Sequence, residues 1–367
     1  MGVTPPPPRT DTVRAFLAEH RRAIIGALAG AVVALFAVGV LPQILGLGDT
    51  LTQIRQGDKR WLLVALGFEV LSLASYVALF RSTFCVAQAP IGWRASYQIT
   101  LAGTVATKLV GAGGAGGIAL TAWALRSAGL EGREVARRMA SFQILLYTVF
   151  MVSLIVFGVG MALRAIPGGG PPSLTVVPAA FALGVCVLVV AVALGRRRLT
   201  SGEEPGPAPR GLRHLRAGVS AVARTAYEGV FTSARLLRHP RLGLVGAVGY
   251  WAMDIGALWA ALRAFGAEPP LGAIVISYFV GMLANLLPLP GGIGGVEGGI
   301  VGCLAAFGVT PGVALLAVLA YRAISFWLPT LPGLWAYVGL RRTVARWRSG
   351  SDDPAAPPRV RPRAQLE

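Results

Sequence analysis

The chain contains little charge and few residues of the types that bind metals. Of its 367 residues, 14% are charged and 54% are hydrophobic, and only three are cysteine and three histidine. So low a charge content at this length excludes a soluble protein and indicates an integral membrane protein. The cysteines lie in or beside apolar runs, which favours buried thiols over a disulfide framework, and no Cys/His spacing fits a zinc site. We therefore expect no metal and no other cofactor.

Acidic residues are also scarce, at 16 against 34 basic residues, which gives a net charge of +18. The basic residues fall in blocks between apolar runs. This arrangement is typical of cytoplasmic loops of membrane proteins, so we read the basic residues for topology and expect no nucleic-acid partner.

Six apolar runs are long enough to cross a hydrocarbon core of about 30 Å. They are Ala23–Leu41, Trp61–Phe80, Ser141–Leu163, Leu174–Leu194, Leu242–Leu262 and Gly312–Val338. The first run is longer than a signal-peptide core and lacks a small-x-small cleavage site, so it is predicted to be a retained helix.

Lysine and arginine counts assign the sides of the membrane. The N-terminal tail has four, 81–94 has two, 125–140 has four, 196–241 has ten and the C-terminal tail has seven. These segments are predicted to be cytoplasmic, in a bacterial inner membrane with both termini inside, and the poorer loops to face outside.

Two further apolar stretches, 95–123 and 271–307, are each interrupted by glycine, at Gly111–Gly117 and Pro288–Gly295. Both flanks of each stretch lie on the same predicted side, and the residues after the glycines are too few to span a bilayer. Irregular backbone at membrane depth requires a protein or aqueous surrounding. Each stretch is therefore predicted to be a re-entrant helical hairpin.

The two glycine tips match at a constant offset. "GGAGGI" from Gly113 corresponds to "GGIGGV" from Gly291, 178 residues later, and the two copies have opposite predicted orientations. The sequence thus predicts an all-α integral membrane protein of six transmembrane helices plus two re-entrant hairpins, arranged as inverted repeats. Paired broken helices in inverted halves are typical of transporters that bind substrate near the membrane midplane.

The predicted organisation has five parts. Residues 1–22 form a cytoplasmic tail, 23–195 the first transmembrane half, 196–241 a basic cytoplasmic segment, 242–340 the second half, and 341–367 a disordered basic tail. Within 196–241, apolar residues at spacings of three and four predict an amphipathic helix, lying either on anionic lipid or as a surface linker.

Ionisable residues within apolar segments are costly and hence are candidates for function. They are Glu69, Lys108, Asp254, Glu297 and Arg322. Two cations beside two broken helices, whose N-termini present free N–H groups, favour an anion such as a phosphate headgroup. The predicted substrate-binding residues are Arg322, Glu297, Lys108, Tyr321, Asn285, Gly291, Gly292, Gly294, Gly113, Gly114 and Asp254.

Structural alternatives exist for these residues. Glu297 follows the break and could cap its helix or pair with Arg322. Lys108 could snorkel or neutralise carbonyl groups at the end of its helix. Asp254 and Glu69 could pair with arginines in the folded bundle. Asn285 and Tyr321 could be ordinary interhelical hydrogen-bond partners, and the glycines could serve close packing.

The second half also carries a resemblance to a known family. Pro290-Gly291-Gly292-Ile293-Gly294-x-x-Glu297, Thr310-Pro311, and Tyr321-Arg322 before a proline-interrupted final helix resemble the lysylphosphatidylglycerol synthase transmembrane family. That family includes the flippase-like domain of the bacterial multiple peptide resistance factor. The resemblance covers roughly residues 23–342 and does not include a soluble synthase domain. The first half departs from it, with Gly116-Gly117-Ile118-Ala119-Leu120 where Gly-Glu followed by Arg is common.

Together the pattern and the resemblance predict a flippase-like transporter, not an enzyme. Its expected substrate is an anionic amphipathic membrane lipid, a phospholipid or a polyprenyl-phosphate-linked one, moved between leaflets. A secondary transporter of a small water-soluble anion fits the hairpins equally well. A membrane-embedded lipid-modifying enzyme is disfavoured, because the three histidines lie outside the apolar segments and no paired acidic motif faces a loop.

Overall fold

The computed structural model describes residues 57–85, 91–109, 114–199, 243–286 and 292–349. These ranges are helical and contain no strand. The α-helices are α1 (Lys59–Phe84), α2 (Trp93–Leu109), α3 (Ala115–Ser127), α4 (Gly132–Ala162), α5 (Pro172–Leu199), α6 (Gly243–Ala264), α7 (Leu271–Met282), α8 (Gly295–Ala306), α9 (Pro311–Arg322) and α10 (Leu328–Ser349). A 3₁₀ turn, Leu283–Leu286, follows α7, and a π-helical turn, Ala323–Trp327, joins α9 to α10.

Five segments in the described ranges are long and apolar enough to cross a membrane. They are Lys59–Phe84, Gly132–Ala162, Pro172–Ala191, Gly243–Ala264 and Pro311–Trp347. Each overlaps a predicted span, which confirms a multi-pass membrane protein. The remaining predicted span, Ala23–Leu41, lies outside the described residues.

Local sequence signals place several helix starts. The Asp58 side chain accepts a hydrogen bond of 2.9 Å from the Arg60 N–H and so caps α1. Proline is the first residue of α5 and of α9, where its missing N–H removes no helical hydrogen bond.

Helices α1 and α6 form an antiparallel pair at the centre of the fold. Gly246 packs on the backbone of Leu79, and the Ser72 hydroxyl donates to the Tyr250 carbonyl at 3.0 Å. A Cβ at Gly246 would lie 2.8 Å from the Leu79 nitrogen, so the missing side chain lets the two backbones meet.

Each glycine-interrupted stretch folds back on itself as a helical hairpin. In the first, Gly103 of α2 faces Thr121 of α3. In the second, Gly281 of α7 faces Gly299 of α8. Residues 281 and 299 follow 103 and 121 by 178 positions each, so the two hairpins cross at equivalent positions. The returning helices have 13 and 12 residues, or about 20 and 18 Å, which is less than the thickness of a hydrocarbon core.

The hairpins also pack on helices from the opposite half of the chain. Helix α2 lies against α10, where the Thr343 hydroxyl donates to Gln98 Oε1 at 3.0 Å. Helix α7 lies against α4, where Gly272 approaches Met161. The two halves of the sequence therefore interlock.

The C-terminal boundary predicted from the sequence needs correction. Residues 341–349, assigned to a disordered tail, continue α10 to Ser349. Buried Thr343 and Val344 explain the extension, since both pack toward the protein although the surrounding residues are basic. Helix α5 likewise continues to Leu199, into the segment predicted to begin at residue 196. The predicted amphipathic helix, with the N-terminal tail and residues 350–367, lies outside the described residues.

Candidate substrate site

The five ionisable residues found in apolar segments come together in one region, the ionisable cluster. It consists of Glu69 on α1, Lys108 on α2, Asp254 on α6, Glu297 on α8 and Arg322 on α9. Lys108 interacts electrostatically with Glu69, Asp254 and Arg322, and Arg322 pairs with Glu297. Both hairpins and the central α1–α6 pair thus contribute to a single cluster.

Asp254 is held by two tyrosines from different helices. Tyr278 of α7 donates to its Oδ2 at 2.5 Å, and Tyr321 of α9 donates to its Oδ1 at 2.9 Å. Asp254 is 7% exposed, and the two tyrosines are buried. A buried carboxylate is tolerable only when such donors replace water, so this arrangement ties α6, α7 and α9 together.

Lys108 binds the π-helical turn between α9 and α10. Its Nζ donates to the carbonyls of Ser325 at 2.8 Å and Phe326 at 3.1 Å. In an α-helix the Ser325 carbonyl would accept from the N–H of residue 329, but Pro329 has none. Lys108 supplies that missing donor from α2. The alternative that Lys108 neutralises carbonyl groups at the end of its own helix is therefore wrong, because its carbonyl partners belong to the turn before α10.

Glu297 makes two hydrogen bonds, one with each carboxylate oxygen. Oε1 accepts from Arg322 Nε at 2.6 Å, and Oε2 accepts from the Gly294 N–H at 2.7 Å. The same side chain therefore caps α8 and pairs with Arg322. The Arg322 and Glu297 side chains are 12% and 16% exposed, more than the carboxylates of α1 and α6.

The Phe326 ring links the two cations. Lys108 Nζ lies 4.9 Å and Arg322 Cζ 5.0 Å from its centroid, both within cation–π range. Phe326 belongs to the π-helical turn, so a change in that turn moves a group in contact with both cations. Such turns are frequent at functional sites.

Two glycines at the second hairpin tip adopt backbone conformations that favour glycine. Gly292 has φ of 66° and Gly294 of 83°. A Cβ on Gly292 would also lie 2.3 Å from Asn285 Oδ1. Residues with a side chain rarely adopt these conformations, so both positions favour glycine.

The remaining predicted site residues stay near their own hairpins. The Asn285 side chain donates to Met282 Sδ at 3.3 Å. Gly114 precedes α3 with φ of 88°. Gly113 and Gly291 lie outside the described residues. Tyr278 was not predicted as a site residue. The signal for it in the sequence was its position in the apolar segment after Asp254, 24 residues later.

The ionisable cluster contains three carboxyl groups and two cations, so it does not have an excess of positively charged groups. Arg322 is engaged by Glu297, and Lys108 by carbonyl groups. An anion that binds Arg322 must therefore displace or share an existing partner. The part of the chain that the structure describes contains no group of three or more His, Cys, Asp or Glu residues that could hold a metal ion.

The chain is similar in sequence to known membrane proteins. The chain is similar to three UPF0104 membrane proteins of Methanothermobacter thermautotrophicus. One is 24% identical over 330 residues, covering 87% of this chain and 95% of the relative. Another is 38% identical over 105 residues, covering 28% and 30%, and a third 36% identical over 84 residues, covering 23% and 25%. The family model described as "Lysylphosphatidylglycerol synthase TM region" matches residues 24–333, and the chain belongs to that family.

Proposed function

We propose that the protein is a flippase-like transporter that moves an anionic amphipathic lipid between membrane leaflets. The Arg322–Glu297 pair carries this proposal. It is an ion pair inside an apolar bundle, with side chains 12% and 16% exposed, and it joins the second hairpin to α9 near Lys108 of the first hairpin. Ionisable pairs at such depth are costly and mark substrate pathways.

The proposed cycle exchanges partners at Arg322. A phosphate headgroup offers the guanidinium two acceptor oxygens in the planar geometry it prefers. When the headgroup binds, the Glu297 carboxylate gives up the Arg322 Nε–H and keeps the Gly294 N–H. When Glu297 returns, the headgroup is released. No covalent step and no cofactor is part of this cycle.

The proposed architecture is an inverted repeat with two re-entrant hairpins. Equivalent helices in oppositely oriented halves must run antiparallel where they meet, and α1 and α6 do so. Equivalent crossings in the two hairpins, 178 residues apart, support the same assignment. In this proposal both termini face the cytoplasm of a bacterial cell, as the basic segments predict.

A lipid is favoured over a small solute by the family itself. Its name refers to a synthase of lysylphosphatidylglycerol, a phospholipid with a phosphodiester. The transmembrane region of such a protein lies where lipid is the abundant anion. A small water-soluble anion could use the same Arg322 site, and the assay below separates the two substrates.

The test uses purified protein in vesicles that contain acyl-labelled fluorescent lipids. The inner-leaflet label of phosphatidylglycerol should become accessible to an added impermeant quencher in protein vesicles, and that of phosphatidylcholine much more slowly. Protein-free vesicles set the background. Uptake of radiolabelled phosphate without movement of either lipid would replace this proposal with the small-anion transporter.

A further inference from the structure

The structure contains a second site, which is more deeply buried than the Arg322–Glu297 pair. Its inferred role rests on the proposed transport function. Glu69 and Asp254 occupy the middle of the two central helices α1 and α6, and their carboxyl groups interact. They are 4% and 7% exposed. Two carboxyl groups this close and this buried cannot both ionise without a large electrostatic cost.

The two carboxyl groups have different surroundings. Both Asp254 oxygens accept tyrosine hydroxyls, which stabilises an ionised carboxylate. In contrast, Glu69 Oε2 is buried and has no hydrogen-bond partner among the described residues. Burial of an ionised oxygen without a hydrogen-bond partner would be strongly unfavourable, whereas burial of a neutral carboxylic acid costs much less.

Charged and titratable groups surround this pair on the neighbouring helices. Those that interact with Glu69 or Asp254 are Lys108 on α2, Tyr250 on α6, Tyr278 on α7, and Tyr321 and Arg322 on α9. Tyr76 on α1 and Tyr147 on α4 interact with Tyr250, and Glu297 on α8 pairs with Arg322. The tyrosines are neutral in the ordinary pH range. The net charge of the ionisable cluster is thus set by three carboxyl groups and two cations. Full ionisation leaves one uncompensated negative charge, and a single added proton makes the cluster neutral.

We infer that Glu69 and Asp254 form a proton-binding site, in which Glu69 carries the proton at rest and its exchange with water is coupled to transport. Release of the proton leaves a Glu69 carboxylate that attracts the Lys108 ammonium. The hydrogen bonds from Lys108 to the Ser325 and Phe326 carbonyls are then weakened. Through these bonds Lys108 holds the turn after Arg322. The proton that leaves Glu69 goes to water, and a proton from water restores it.

Infrared spectroscopy of the reconstituted protein tests the site without any lipid assay. At neutral pH a protonated-carboxyl band is expected, and it should shift to lower frequency when glutamate is labelled with carbon-13. Glu69→Gln should remove this band, and the matched control Glu131→Gln, at an exposed position, should keep it. Absence of the band, or its persistence in Glu69→Gln, would overturn the assignment. The conservative variant Glu69→Asp should retain a protonated band, now responsive to labelled aspartate.

Coupling is tested separately in the lipid vesicles. An imposed pH gradient should change the rate of phosphatidylglycerol movement, and Glu69→Gln should lose that response, while Glu131→Gln should keep it. An unaltered wild-type rate under the gradient would overturn coupling and leave the proposed transport intact. If wild-type protein moves no lipid, the proposed function fails, and the infrared result alone decides whether the proton site exists.

Discussion

Replacing Glu297 by glutamine tests whether this carboxylate competes with substrate for Arg322. In the structure Glu297 accepts from Arg322 at 2.6 Å, and both side chains are largely shielded from water. Hydrogen bonds that involve a charged group contribute about 1.5–3 kcal/mol, and we expect the Glu297–Arg322 ion pair near the upper end of that range and a Gln–Arg bond near the lower end. The substitution should therefore weaken the competitor by roughly 1.4 kcal/mol, which corresponds to about a tenfold change in an equilibrium constant.

We expect Glu297→Gln to bind short-chain phosphatidylglycerol about tenfold more tightly and to move lipid more slowly, since the headgroup is displaced less readily. Calorimetry in detergent measures the affinity, and the vesicle assay measures the rate. Glu268→Gln is the matched control, because Glu268 pairs with Arg263 at the exposed end of α6. Unchanged affinity and rate would mean that Glu297 only caps α8, and weaker binding would refute the exchange.

Three further predictions concern the architecture around the site. Single cysteines at Glu268 and Thr310, in a background without the native thiols, should both react with an impermeant reagent from outside, and labelling from opposite sides would contradict the re-entrant hairpin. Gly281→Ala should destabilise the protein by about 1–3 kcal/mol, because its Cβ would lie 2.9 Å from the Ile300 backbone nitrogen. Gly298→Ala in the same hairpin meets nothing within 4 Å and should be tolerated in the same detergent melting assay. Lys108→Met should lower the melting temperature and slow transport, since the Ser325 and Phe326 carbonyls lose the Lys108 ammonium, and an unaltered protein would refute that role.

The sequence was sufficient to find the members of the ionisable cluster. Charged residues in apolar segments are visible from composition alone, and Lys108, Asp254 and Arg322 stand out in this way. The spans and the hairpin breaks were equally visible, because length and glycine content control them. The extension of α10 was not visible in the sequence, because its basic residues suggested a tail. The packing of Thr343 on Gln98 involves positions 245 residues apart.

The partners within the cluster depend on tertiary contacts that no local pattern encodes. Lys108 reaches the Ser325 carbonyl 217 residues away, and this contact requires both the packing of α2 on α10 and the missing N–H of Pro329. Tyr278 binds Asp254 although a tyrosine in an apolar helix is equally compatible with an interfacial position. The groups that are costly to bury are thus visible in the sequence, whereas the contacts that offset each cost exist only in the folded chain.

The rate of lipid movement in Arg322 variants shows whether this side chain binds the transported headgroup. If Arg322 binds the headgroup, Arg322→Gln should slow phosphatidylglycerol movement by about a hundredfold, equivalent to the loss of about 3 kcal/mol. The rate for Arg322→Lys should lie between those of the wild-type protein and Arg322→Gln, since an ammonium lacks the planar pair of donors. Arg263→Gln, which removes a half-buried arginine paired with Glu268 outside the ionisable cluster, should remain near the wild-type rate. A normal rate for a folded Arg322→Gln protein would contradict the account.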